Sequence, residues 1–479
     1  KIIEYKFNNI KLINILKTKS YPLNISKQID VNFRNYALYV LENRGIPSFY
    51  DALTNVQRFI LINAPHNYNK TISLVGSCIS DGYHHGDKSL TGAINKLARP
   101  FGNSEQLLLG DGFFGTPINH EASAARYTSI KINPRIAELI RKSEFLNVKN
   151  EEGSWDPLWL DMPIGITNMI IGIAVGYKTT VLPRDLEDVQ KFLEGKSKEI
   201  IPKFKNFKGK IKRYKGMNKT WLIEGSLQVN EDVKSIRILE LPPLMKYSSF
   251  LKKLETILEK HSVKMINNSS TNIDVILNFT GNKEEWPVFL EAVDKSVKML
   301  ITETPVFVKD GLVIEYDRIE DYINDYRYRL ADLRVKRIQH YKNLNDDELL
   351  FLTFKEKYFI FMLNNKNKMR SDSEVNDFLT ELTVNHSHIR RRLDSILLKT
   401  LTEEELTRTR ERIAFLKEEI KKQEKELSEA IKDFEKAEDT ALSRATTNRS
   451  ISSVNLFESE EDEIDGIEIF QQNEEEDEL

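Results

Sequence analysis

Two stretches of this sequence place apolar residues at heptad-like intervals, and a chain that contains them must commit two long helices to covering those faces. In the first, Ile319, Ile323, Tyr326, Leu330 and Leu333 step by four and three, which reads as a seam. In the second, Leu406, Ile413, Ile420, Leu427 and Phe434 recur every seven residues between Lys and Glu. Thr402 with Glu405 has the pattern of a capping box at its start. Residues 371–399, with Arg390-Arg-Arg-Leu-Asp394, read as a small helical insert. Two seams around an insert predict an antiparallel coiled coil with a head at its far end, serving intrachain packing and a dimer contact equally well.

At 479 residues, the chain has room for about three domains of ~150 residues. Hydrophobic residues make up 40% and charged residues 30%, a balance that suits long solvated helices. No apolar run approaches the ~20 residues of a membrane span, and Lys1-Ile-Ile-Glu-Tyr-Lys6 lacks a secretory pattern. The single cysteine, Cys78, excludes an internal disulfide framework and a cysteine-based zinc site. These features predict a soluble, cytoplasmic protein. The net charge of −3 conceals an asymmetry, because residues 458–479 hold twelve acidic side chains and no basic one. Without them 61 acidic residues face 70 basic ones, leaving about +9, a body compatible with nucleic acid.

Residues 1–30 read as an arm. From 31 to 150 the spacing predicts a helix over Ala52–Asn63 behind the loop Arg44-Gly-Ile-Pro-Ser-Phe-Tyr-Asp51, and two more near Lys70–Ile79 and Ser89–Leu97. The apolar strand Leu107-Leu-Leu-Gly-Asp-Gly-Phe-Phe-Gly115 follows. Helix, helix and β-element is the order of a winged helix, which sets a helix in the DNA major groove. Residues 151–316 predict one α/β domain, 317–439 the coiled coil and its head, and 440–479 a disordered acidic tail. The fold class is α+β, in several domains.

The candidate chemistry lies in the first 150 residues. Arg126-Tyr127 sets a phenol beside a fixed guanidinium. The cation can hold a phosphate and the oxygen can attack it; the plainer reading is a packing tyrosine. Arg44, and Gln57 with Arg58, put polar groups on a loop and a helix where phosphates can meet them, against the plainer reading of surface side chains. Tyr83-His84-His85-Gly86-Asp87 lacks a third ligand for a metal, so a histidine that donates to a phosphate or to the tyrosine oxygen suits it better. Gly195-Lys-Ser197 has Gln190 where a P-loop needs its first glycine. No carboxylate cluster suited to magnesium is evident outside the acidic tail. A metal needed for phosphoryl transfer would come from another chain.

In their order, Arg44-x-Ile-Pro…Asp51, Gln57-Arg58, Tyr-His-His-Gly-Asp87, Gly112-Phe-Phe-Gly-Thr116, Ala-Ala-Arg126-Tyr127 and Gly172-Ile-Ala-Val-Gly176 resemble the breakage-reunion part of type II DNA topoisomerases. The set looks most like the separate medium subunit of T-even-like phages, is similar to gyrase A, and spans roughly residues 30–435. Leu398-Lys-Thr-Leu-Thr-Glu-Glu-Glu405 resembles the start of the family's C-gate helix. The resemblance implies that Tyr127 forms a 5′-phosphotyrosyl link to double-stranded DNA, steadied by Arg126, His85 and Arg44. It further implies that Ile173 wedges between base pairs, with a buried strand residue as the plainer reading, and that Arg58, Lys88 and Gln57 contact DNA. The implied 151–316 region is a tower and the implied head a C-gate that dimerises. Magnesium and ATP would be handled by a large partner subunit in an A₂B₂-like holoenzyme.

Departures accompany the resemblance. Ala52 replaces the family's usual glycine, Thr54-Asn55 its Lys-Pro, and Phe59 a gyrase arginine. Lys88 and Gly92 occupy the positions through which quinolones bind gyrase, so weak quinolone sensitivity is expected. No basic β-pinwheel follows the coil, so relaxation and decatenation are expected rather than negative supercoiling. The alternatives are a non-catalytic DNA-binding coiled-coil scaffold, or a piece of a single-chain type II topoisomerase.

Overall fold

The first helix starts later than its apolar face suggests. Ala52 takes a left-handed backbone with φ 57°, which a right-handed helix cannot include. Helix α1 therefore spans Asn55–Asn63, and Gln57 secures its start by accepting the Thr54 N–H at 2.9 Å. Helices α2 (Thr71–Ser80) and α3 (Asp87–Ala98) follow, burying Leu74, Val75 and Cys78, and Leu90, Ile94 and Leu97. Beside them lies a sheet in the order β1 (Asn69–Lys70), β3 (Ser129–Ile132), β2 (Leu108–Asp111). The expected helix, helix, β-element order is present, with two short strands that carry no legible period. This is a computed structural model. It describes residues 29–448 apart from 30, 31, 34, 35, 38, 152, 175, 365–371, 385 and 397–401, with backbone alone at 42, 372 and 440–448. The expected arm, save residue 29, and the acidic run lie outside the described residues.

The first core does not stop at residue 150, where a domain boundary was expected. Helix α4 (Pro134–Arg141), the hairpin β4 (Ile170–Ala174) and β5 (Tyr177–Val181), and α5 (Leu186–Leu193) come next. Leu158, Ile164, Ile166, Val181, Leu186 and Ile200 share one core with Leu53, Leu90 and Ile130.

Two further sheets follow. One runs β10 (Val263–Asn267), β11 (Val275–Phe279), β9 (Ser235–Glu240), β8 (Ser226–Asn230). Helices α6 (Tyr247–Leu258) and α7 (Trp286–Ser296) pack on it around Ile238, Phe250, Leu277 and Phe289. The other runs β12 (Lys298–Thr302), β7 (Thr220–Glu224), β6 (Lys210–Arg213), with Trp221 and Ile223 in a separate cluster. Strand pairing is antiparallel throughout the described sheets. What the sequence reads as one α/β domain is thus antiparallel and has more than one core. The buried Arg184–Glu303 pair at 2.8 Å, with the Trp221 indole donating to Glu303 at 2.7 Å, joins β5's end to the second sheet.

Hairpin β13 (Val306–Lys309) and β14 (Leu312–Glu315) leads into α8 (Ile319–Asn364), which runs antiparallel to α11 (Glu403–Asn448). Between them α9 (Asp372–Leu382) and α10 (Ser387–Asp394) form a small head around Phe359, Leu379, Ile389 and Leu393. The first seam differs from expectation: Ile319, Ile323 and Tyr326, with Leu330 beside them, pack into the body's core rather than against α11. The two helices meet instead through other side chains, Tyr328 stacking on Phe434 and, farther along, Leu352 packing with Ile413 and Leu416. Thr402 Oγ accepts the Glu405 N–H at 3.2 Å, while the Glu405 carboxylate takes Lys355 at 2.8 Å instead of closing the expected box. Helix α11 continues past Asp439 to Asn448, beyond the expected start of the tail.

Candidate functional site

Arg44 sits in a short turn, Leu41–Gly45, that touches hairpin β4–β5 backbone to backbone. A Cβ on Gly172 would lie 1.9 Å from Gly45 O, and one on Gly45 would lie 2.8 Å from Ile173 O. Only two glycines allow that approach. Ile173, on β4 of this hairpin, is 73% exposed, so the plainer reading of a buried strand residue does not hold.

The Arg44 guanidinium donates to His85 Nδ1 at 3.1 Å. A guanidinium has no acceptor, so Nδ1 must be unprotonated and the ring carries its proton on Nε2. Burial, then the Arg44 charge, then His84, hold His85 below the usual histidine range. At neutral pH the ring is a neutral N–H donor. Tyr39, which no motif singles out, sets its hydroxyl 3.5 Å from Nε2 of both His85 and His84.

Arg126 and Tyr127 occupy a loop stitched to the start of α2. The Thr71 N–H donates to Thr128 O at 3.0 Å and the Ile72 N–H to Ala125 O at 3.2 Å, while the Thr71 and Thr128 hydroxyls meet at 2.8 Å. The Arg126 guanidinium lies 4.7 Å from the Tyr127 ring centroid, and Tyr127 is 66% exposed. The positive end of the α2 dipole and the exposed Lys70 add to a face that attracts anions.

The candidates therefore form two half-sites rather than one. Arg44, His85 and Ile173 gather on one side; Arg126 and Tyr127 stand at the other end of α2. That helix has ten residues, or about 15 Å of rise. Within one chain His85 thus meets Arg44 and Tyr39, and the expected donation to the Tyr127 oxygen is not made. Arg58 departs from its expected place on the DNA-binding face. It is 5% exposed, its Nε meets Asp51 at 2.6 Å, and its Nη2 donates to Leu53 O at 3.0 Å. Asp51 also accepts the N–H groups of Leu53 and Leu158 at 2.9 Å, so the arginine braces the loop from within. Gln57 is half-buried and occupied at the helix start. Lys88 is exposed in the first turn of α3. Among the described residues no three His, Cys, Asp or Glu side chains come together to hold a metal ion, and no helix is long and apolar enough to cross a membrane.

A sequence model for the A subunit of DNA gyrase/topoisomerase IV matches residues 44–439. The DNA topoisomerase medium subunit of Enterobacteria phage T4 is 29% identical over 246 residues, 48% of this chain and 54% of that protein. DNA topoisomerase 2 of Arabidopsis thaliana is 30% identical over 371 residues, 70% of this chain and 25% of that protein. The DNA gyrase A protein of Escherichia coli (strain K12) is 31% identical over 182 residues, 35% of this chain and 21% of that protein. The chain spans about half the length of the phage relative and a quarter or less of the other two. The Plasmodium falciparum topoisomerase II DNA-binding, cleavage and re-ligation domain has the same fold, with a TM-score of 0.69 at 21% identity over 87% of this chain and 64% of that one.

Proposed function

This chain belongs to the family of the DNA gyrase/topoisomerase IV A subunit, and from that premise we propose that it is the DNA cleavage-religation subunit of an ATP-dependent type II topoisomerase. The observation that carries the reading is the exposed Tyr127 beneath the Arg126 guanidinium, on a loop tied to the start of α2.

In this reaction the Tyr127 Oη attacks a backbone phosphorus of double-stranded DNA. The bond from phosphorus to the 3′ oxygen breaks, the departing 3′ oxygen takes a proton, and the phenol's proton passes to a base. A 5′-phosphotyrosyl link holds the energy of the phosphodiester, so the reverse attack reseals the strand without nucleotide. Positive charge from Arg126 and the helix end stabilises the negative charge that gathers on the phosphate oxygens as the phenol oxygen attacks. Because His85 and Tyr127 stand at opposite ends of α2, a second copy brings its Arg44–His85 pair to each reacting phosphate. Lys88 and Gln57 add DNA contacts. Ile173 wedges between base pairs, where the larger surface of bent DNA offsets the unstacking. The region around α1, α2 and α3 acts as the winged helix, residues within 151–316 as the tower, and the α9–α10 head as a dimerising C-gate. The carboxylates of the described residues do not gather into a magnesium site, so a magnesium ion would be held by other residues, supplying positive charge to the phosphate oxygens. Magnesium and ATP belong to a large partner subunit, and the reading gives relaxation or decatenation by a heterotetrameric enzyme in the cytoplasm.

The test is covalent capture. With the large subunit, magnesium and plasmid DNA, rapid denaturation is expected to leave DNA attached to this chain, and Tyr127→Phe to abolish the adduct while DNA binding stays within about twofold. An adduct that survives in Tyr127→Phe sinks the assignment and favours the scaffold alternative.

A further inference from the structure

Residues 196–219 carry ten Lys or Arg against one Glu, and strand β6 (Lys210–Arg213) lies within this run. Strand β6 is the terminal strand in the order β12, β7, β6, so one row of its backbone groups has no strand beside it among the described residues. Several of these cations are spent on partners: Lys203 on Asp185, Lys219 on Asp317, Lys212 on Glu224, and Arg213 on Glu320. Lys198, Lys208, Lys210 and Lys215 are exposed, and none of them enters an ion pair among the described residues. Lysine on an edge strand does discourage unwanted pairing, but Lys210 on the edge, with Lys208 and Lys215 flanking it in sequence and Lys198 in the preceding segment, also favours an acidic occupant.

The long helices decide which one. Tyr328 of α8 stacks on Phe434 of α11 at 5.2 Å, and antiparallel helices rise equally per residue. Helix α8 begins nine residues before Tyr328, at Ile319, whereas α11 runs fourteen residues beyond Phe434 to Asn448, so its end reaches past the level of the start of α8. That level holds Asp317 and Glu320, which are already paired with Lys219 and Arg213 at the β6–β7 turn. Helix α11 thus delivers the chain to the foot of the basic edge. Ten residues on, at Glu458, begins the run of twelve acidic and no basic residues. Nine residues lie between, and a flexible chain of that length would span roughly 15–18 Å, which corresponds to a local concentration on the order of millimolar. Ile467-Glu468-Ile469 within the run alternates as an added strand would.

We propose that residues 458–479 dock along the open β6 edge of their own chain, on Lys198, Lys208, Lys210 and Lys215, and compete there with DNA. The docking stands on charge and placement alone, and the competition rests on the DNA-binding function proposed above. DNA must displace the segment, so its affinity is set by the exchange of one polyanion for another.

Four full-length proteins test this: the wild type, a variant with every Glu and Asp of 458–479 changed to Gln or Asn, Lys208→Gln/Lys210→Gln/Lys215→Gln, and the last two sets of changes combined. Without DNA, carbodiimide cross-linking and mass spectrometry are expected to join the segment to the β6-edge lysines within one chain, as judged from a mixture of ¹⁴N and ¹⁵N protein. Links only to other lysines, links only between chains, or none at all overturn the docking. In about 50 mM salt, the neutralised segment is expected to raise affinity for a short duplex about tenfold. Neutralising the three lysines as well should remove that gain. An unchanged affinity in the neutralised variant, with the wild type binding, overturns the competition. If no protein binds duplex, the DNA-binding function fails and the cross-links still decide the docking.

Discussion

Arg58 and His85 show how much a side chain's partner decides. Arg58 faces a fully buried Asp51 carboxylate that also takes two backbone N–H groups. Arg58→Ala leaves that charge unpaired, and unfolding in urea is expected to show a loss of about 3–5 kcal/mol. A loss below about 1 kcal/mol would contradict the brace. His85 gives a pH signature. Its pKa in the folded chain lies below the ordinary 6.5, chiefly through burial and then Arg44, so the unfolded chain takes up its proton first. Stability is then whole above pH 6.5 and falls as the pH drops through the folded value. His120, also lowered by burial and Arg99, acts in the same direction. Urea midpoints at pH 7 and at about pH 5.5 are expected to differ, and His85→Gln to narrow the difference. The motif spacing points to both residues but says nothing of whether a guanidinium faces solvent or a buried carboxylate.

Among the elements, hairpin β4–β5 and helix α2 position most of the candidate chemistry. The hairpin depends on Gly172, whose replacement by Ala puts a Cβ 1.9 Å from Gly45 O. Backbone cannot yield as a flexible side chain can, so a cost of about 1–3 kcal/mol is expected, with the Arg44 turn displaced and DNA cleavage reduced. Gly76→Ala in α2 has nothing within 4 Å of its Cβ and is expected to stabilise by about 0.5–1 kcal/mol. Thermal melts that rank the two variants the other way would refute the close approach. Long periodic helices were legible from spacing, because period reports which face is buried. What covers that face was not. The residues Ile319, Ile323 and Tyr326 have a coiled-coil rhythm and are buried in the body instead.

At the scale of the whole molecule, the separation of Tyr127 from His85 by the length of α2 asks for two copies. A heterodimer of one Tyr127→Phe chain and one His85→Ala chain distinguishes the arrangements. If the histidine acts on the other copy's tyrosine, one site keeps both groups and cuts one strand at the wild-type rate. If it acts within its own chain, the remaining tyrosine lacks its histidine and cutting slows about 10²–10⁴-fold. Single-turnover nicking of a duplex measures the difference. The core that crosses residue 150 bears on the same scale. Leu158, Leu186 and Ile200 complete the packing of α1 and α3, so the region of α1–α3 and the start of α8 share one core and are expected to move as one body.

The sequence by itself determined the α+β class, the two long helices, the helix-helix-strand order near the front, and the Arg126-Tyr127 dipeptide, and it singled out Arg44 and His85 without pairing them. Local spacing, turn residues and short motifs set these, and they act over a few residues. Only the tertiary structure decided that Arg58 turns inward to Asp51, that Gly45 and Gly172 meet, and that the first seam docks on the body. It also decided that His85 and Tyr127 stand at opposite ends of one helix. Each of these depends on residues far apart in the chain, and no period or motif records which distant surface will cover a given face.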